Sequence, residues 1–129
     1  MKKSSNLKQL KKYFSSFCSK NIGDLKNIFS DNVELKDWNN KFLGKEEVLK
    51  EIESIFNSFD SIQLNLINIY NFVDIINYKN DEYLFTTSSD NKFACQIEIL
   101  FDNDQILHVI DLIEFDDNGK IINLTAYKG

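Results

Sequence analysis

The stretch HVIDLIEFDDNGKI, residues 108 to 121, decides how the second half of the chain folds. Side chains of an extended strand alternate between faces, so Leu107, Val109, Asp111, Ile113 and Phe115 project together, and His108, Ile110 and Leu112 project the other way. DDNG then supplies turn chemistry, with Asn118 and Gly119 suited to positive φ, and the strands on either side are expected to be antiparallel neighbours. Asp111 is the only acid on an otherwise apolar face. A carboxylate buried there either finds a partner or takes up a proton.

Working outward, the same period of two recurs in SIQLNLINIY, EYLFTTSS, KFACQIEILF, QILHVIDLIEF and KIINLTAYK. Residues 71 to 82, containing FVDIINY, fit either a short strand or a covering loop. Before Ser61 the period is helical. Leu7, Leu10, Tyr13, Phe14, Phe17 and Cys18 form the apolar side of a first helix, with Ser5 or Asn6 as its cap. Asn21 caps a shorter helix carrying Ile22, Leu25, Ile28 and Phe29, and Asp31 and Asn32 read as the turn after it. VELKDW reads as a short strand. Gly44 then precedes a third helix with the stripe Val48, Leu49, Ile52, Ile55, Phe56 and Phe59, and Glu46 and Glu47 suit its N-terminal dipole. Three helices followed by strands predict one α+β domain over residues 1 to 129. Packed on a strongly curved mixed or antiparallel sheet, the helical layer would enclose a cone-shaped space for a ligand.

Composition narrows the function classes. The chain has 129 residues, 43% hydrophobic and 13% aromatic, as a globular domain does. The net charge is -5 and every one of the 15 basic residues is lysine, so the forked donor that favours phosphate and base-edge recognition is missing and no nucleic-acid partner is expected. Cys18 and Cys95 match no metal-ligand or CxxC spacing and read as reduced thiols, which suits a cytoplasmic protein. No apolar run approaches a membrane span, so no membrane partner is expected. His108, the single histidine, falls on the strand face opposite Asp111. No nucleotide, metal or other cofactor signature is present.

Asp111 has company. In the first strand Val33, Leu35 and Asp37 share a face, so a second carboxylate follows two apolar residues inward. Tyr13 adds a hydroxyl on the apolar side of the first helix, and a buried hydroxyl ordinarily seeks a partner. Each has a plain structural role open to it: Tyr13 as a core ring, Asp37 as a strand-end cap, Asp111 as acceptor for a loop amide.

The segment from Ile106 to Gly129, with its Ile-Asp, Phe, Gly-Lys and Ala pattern, resembles the last strands of bacterial ketosteroid isomerases without a gap, and FSDNVELKDW resembles the strand that carries their general base. The wider group is the SnoaL-like, nuclear-transport-factor-like superfamily, whose cone-shaped α+β fold has the element order read above. The resemblance implies Tyr13 and a protonated Asp111 as oxyanion-hole donors and Asp37 as the proton-shuttling base. Phe29 and Ile52 fall where the isomerases extend their tyrosine network, and Trp38 where a proline follows the base. The pocket wall implied for this chain comprises Phe14, Phe17, Phe29, Ile52 and Phe56 from the helical half, with Trp38, Val109 and Ile113 from the strands. The ligand is expected to be a small hydrophobic molecule. Three readings stay open: an isomerase shifting a proton beside a carbonyl, a non-catalytic binding domain, and a structural dimerisation module. A homodimer through the outer sheet face is expected, because Ile106, Ile110 and Leu112 would otherwise be exposed.

Overall fold

The structure, a computed structural model, describes residues 2–87, 90–102 and 105–129. Its order is α1 (Lys2–Cys18), α2 (Ile22–Ile28), β1 (Phe29–Lys36), β2 (Lys41–Leu43), α3 (Lys45–Ser58), β3 (Ile62–Asn71), β4 (Asp74–Lys79), β5 (Glu82–Thr87), β6 (Lys92–Phe101), β7 (Gln105–Phe115) and β8 (Ile121–Lys128). Three helices are layered on a six-stranded sheet of order β2-β1-β8-β7-β6-β3, which is the expected α+β cone. The sheet is mixed: β1 runs parallel to β8, and every other pair in it is antiparallel. Register shifts at Leu66/Asn68, Phe29/Glu34 and Glu114/Phe115 bend the strands that carry them. Among the described residues no helix is long and apolar enough to cross a membrane.

The opening stretch behaves as its period dictates. On β7, Val109, Asp111, Ile113 and Phe115 are buried, while Ile106, His108, Ile110 and Leu112 face out. The hairpin into β8 turns on Asp116, whose Oδ1 accepts the backbone N–H groups of Asn118 and Lys120 at 2.9 and 3.0 Å. That arrangement puts positive φ on Gly119 alone, at +76°, and Asn118 does not adopt it.

Several local expectations change. The first helix begins at Lys2, so neither Ser5 nor Asn6 caps it; the Asn6 side chain instead donates to the Asp90 carbonyl at 2.8 Å. Asp31 and Asn32 lie within β1, not in a turn, because α2 passes straight into an extended chain at Phe29, its C-cap. Asn21 caps α2 as expected, its Oδ1 accepting from Asp24 N–H. Gly44 takes φ +88° before α3, a conformation open to a residue without Cβ. Residues 71 to 82 are mostly strand: β4 pairs with β5 as a hairpin forming a second sheet of two strands. Of the expected strand EYLFTTSS, β5 holds Glu82–Thr87, and Ser88 and Ser89 lie outside the described residues.

The core lies between helices and sheet. Leu10, Leu25, Ile28, Val48 and Ile52 meet Val33, Cys95, Ile97, Ile113, Phe115 and Ile121 there, all almost fully enclosed. Burial of this apolar surface is the main stabilising term. Among the described residues, the polar ones buried with it are Ser16 and Asp111.

Candidate functional site

Tyr13 sits on the inner face of α1, its ring held by Phe14 at 5.1 Å edge-on, Phe29 at 5.9 Å and Phe17 at 6.3 Å between centroids. Aromatic contacts on several sides leave the ring little freedom, so the hydroxyl has a fixed direction. Burial, and after it the charges of Asp111 and Cys95, push the Tyr13 hydroxyl well above its ordinary pKa, which keeps it a neutral donor.

Asp111 reaches the same region from β7. It is 5% exposed, and burial alone pushes its carboxyl up to about 7, so the protonated form is populated at neutral pH. Cys95, directly across the ladder in β6, is a buried free thiol raised to about 12 by burial and then by the Asp111 charge. Among the described residues neither the Tyr13 hydroxyl nor the Asp111 carboxyl has a hydrogen-bond partner. Both border the same space between helices and sheet, where an oxygen brought in from outside can accept from them.

Asp37 lies one residue beyond β1, where the strand end turns toward β2. Its Oδ1 accepts the N–H groups of Asn39 at 2.7 Å and Asn40 at 2.6 Å, and its own N–H donates to the Asn40 carbonyl at 2.9 Å. It is half-buried, so it meets both the interior and water.

All three converge. Tyr13, Asp37 and Asp111 line one mainly apolar cavity of about 120 Å³ between α1, α3 and the sheet. Phe17, Trp38, Ile52 and Val109 are also on its wall. Phe14, Phe29, Phe56 and Ile113 are not: they belong to the buried core, because a side chain facing the helix–sheet interface borders a void only where the opposite layer leaves one. The wall instead takes Leu35, Ile55, Ile99, Phe101, Leu107, Leu124 and Ala126, together with one acid that sequence reading passed over, Glu51. Partial burial, and next the charge of Asp37, raise the Glu51 carboxyl. A signal for it existed: Glu51 is four residues before Ile55 and three after Val48, at the edge of the α3 stripe.

A larger groove, about 530 Å³, opens between the β4–β5 hairpin and the outer sheet face, lined by Phe72, Ile75, Leu112 and Thr125. Two of its charged groups are engaged, Lys92 with Glu114 at 3.9 Å and Glu114 with the Asn123 amide at 2.8 Å, while Asp74 also lines it. His108, on the outer face, lies 3.6 Å from Glu98 and takes no part.

With a helical layer on a bent mixed sheet and acids at the cone's interior, comparison with solved structures becomes informative. Nuclear transport factor 2 from Cryptosporidium parvum superposes with a TM-score of 0.69 at 14% identity, over 98% of this chain and 93% of that one. The chain has the NTF2-like fold. A SnoaL-like family isomerase candidate from Agrobacterium tumefaciens gives 0.69 at 11% identity, over 98% of both chains. A candidate ketosteroid isomerase from Kribbella flavida gives 0.73 at 13%, over 98% of this chain and 79% of that one. No protein-family model matches the sequence, and no curated protein does. At these identities the NTF2-like likeness concerns architecture, and function must be argued from the site.

Proposed function

We propose that this NTF2-like protein moves a proton beside the carbonyl of a small apolar ketone, with Asp37 as base and Tyr13 and protonated Asp111 as donors to the developing oxyanion. One observation carries the reading: residues from α1, the end of β1 and β7, remote in sequence, line one mainly apolar cavity with a tyrosine hydroxyl and a carboxyl at its buried end. Removing a proton next to a carbonyl places negative charge on oxygen only as the reaction proceeds. Neutral donors aimed at that oxygen therefore stabilise the transition state more than the substrate. Asp37, at the water-facing end, takes the proton and returns it to carbon.

Volume bears on the substrate. A dry protein cavity of about 150 Å³ accommodates benzene, so a space of about 120 Å³ beside the acids suits one small ring or a short branched chain.

A second reading, a non-catalytic pocket for a small hydrophobic molecule, is favoured by the two backbone N–H groups on Asp37 Oδ1, which give that acid a structural duty. Small β,γ-unsaturated ketones in deuterium oxide separate the two. The enzyme reading expects isomerisation or deuterium at the carbon beside the carbonyl, abolished in Asp37→Asn. Ligand-induced thermal stabilisation without any exchange would favour the binding domain.

The exposed outer-face residues Ile106, Ile110, Leu112 and Tyr127 support a homodimer through this side of the sheet.

A further inference from the structure

Glu51 is the one ionisable group on the cavity wall without a role in the reading just given. It reaches the wall from α3, opposite the strand end that carries Asp37, and is itself half-exposed, so its carboxyl borders the cavity and water together. The geometry points to Glu51 as a relay through which Asp37 exchanges its captured proton with solvent. This rests on Asp37 being the base.

The environment suits that task. Tyr13 and Asp111, the other titratable groups on the wall, lie at its buried end. Of the remaining charges of α3 and its neighbour α2, Lys26, Lys45, Glu46, Lys50 and Glu53 line a separate surface groove with Ile22 and Leu49, Glu47 accepts from the Leu43 N–H at 3.3 Å, and Asp24 accepts from the Asn21 amide at 3.0 Å. Lys128, whose Nζ stands 5.6 Å from the centre of the Trp38 ring, is occupied at the rim. Asp37 is the charged group that acts on Glu51, second to partial burial. The Glu51 carboxylate, raised first by partial burial and then by the Asp37 charge, accepts a proton more readily than an isolated surface glutamate. One Asp37 oxygen is fixed by Asn39 and Asn40, which holds the carboxyl in place at the mouth.

The steps balance as proton transfers. The Asp37 carboxylate removes the proton beside the carbonyl, and the C–H electron pair moves into the enolate. Protonated Asp37 passes that proton to the Glu51 carboxylate, which releases it to water. A solvent proton returns through Glu51 to Asp37 and then to carbon as the enolate collapses. A site with this relay exchanges with solvent more often than one in which Asp37, itself half-buried, meets water alone.

The test uses the full chain and a β,γ-unsaturated cyclohexenone in deuterium oxide, with product deuterium read by mass spectrometry. Wild type is expected to place solvent deuterium in most product molecules. In Glu51→Gln the deuterated fraction falls several-fold while turnover falls less than in Asp37→Asn, and Glu51→Asp restores part of the exchange. A purely structural role would lower rate without changing the isotope ratio. Turnover in Glu51→Gln with wild-type deuterium content overturns the relay and leaves the base assignment standing. Absence of any turnover in wild type overturns the functional reading and the relay with it. Without substrate, NMR titration of Glu51 should shift to lower pH in Asp37→Asn; an unmoved titration removes the coupling on which the relay depends.

Discussion

Asp111 and Cys95 are direct cross-strand partners in β7 and β6, and after burial itself their charges raise the Tyr13 hydroxyl of α1. One register position in the sheet thus adds to the surroundings of a helix residue far earlier in the chain. A slip of one residue in β7 would send Asp111 to solvent and bring Ile110 or Leu112 inward.

Asp111 makes stability depend on pH in an uncommon direction. Its folded-state carboxyl is raised to about 7, above an unfolded value near 4, so between these limits the native state binds more protons and stability falls as pH rises. At three pKa steps the loss is about 4 kcal/mol, an upper figure. Urea unfolding of wild type and Asp111→Asn from pH 4 to pH 8 should show that the amide removes this decline. Parallel curves would mean that Asp111 titrates normally.

Tyr13→Phe separates folding from function. The hydroxyl has no hydrogen-bond partner among the described residues, so its removal should leave stability within about 1 kcal/mol of wild type or raise it. Reaction with a small ketone should drop by roughly a hundredfold or more, as for loss of one oxyanion donor. Destabilisation by several kcal/mol in thermal melts would show that the hydroxyl is structural.

At Asp37 two substitutions should diverge. Asn retains an acceptor for the Asn39 and Asn40 N–H groups and is expected to fold with nearly wild-type stability while losing proton transfer. Ala removes both bonds and should cost about 1–2 kcal/mol. Full exchange by Asp37→Asn would eliminate Asp37 as the base.

The cavity should select by size. A single-ring ketone is expected to raise the melting temperature and a steroid-sized ketone to leave it unchanged, given a space of about 120 Å³. Ile55→Ala enlarges the wall and should admit longer ligands. Equal stabilisation of wild type by both classes would contradict this.

Sedimentation should give a dimer at micromolar concentration, with Leu112→Lys shifting it to monomer. Leu112 is 38% exposed and Ile110 41%, side by side on the face expected to be covered. A monomeric wild type would rule out this interface.

How much of this was legible beforehand follows from how far each property reaches along the chain. The inward direction of Asp111 needed only the two-residue period of β7, which backbone geometry fixes locally, and the apolar stripe of α3 needed only its 3.6-residue period. Tyr13, Asp37 and Asp111 were singled out on those grounds and on the family resemblance. Local period could not decide whether an inward side chain meets another side chain or a void. Phe29 and Ile113 face inward and are packed, whereas Leu124 and Ala126 border the cavity, because the bends in the sheet and the position of α3 determine where the layers separate. The parallel pairing of β1 with β8 and the placing of Glu51 and Asp37 on one cavity wall were likewise left to the tertiary structure. Both join segments that carry no local mark of each other. A solvated charge at the edge of a helical stripe reads the same whether the neighbouring layer offers water or another acid, and only the packed molecule distinguishes them.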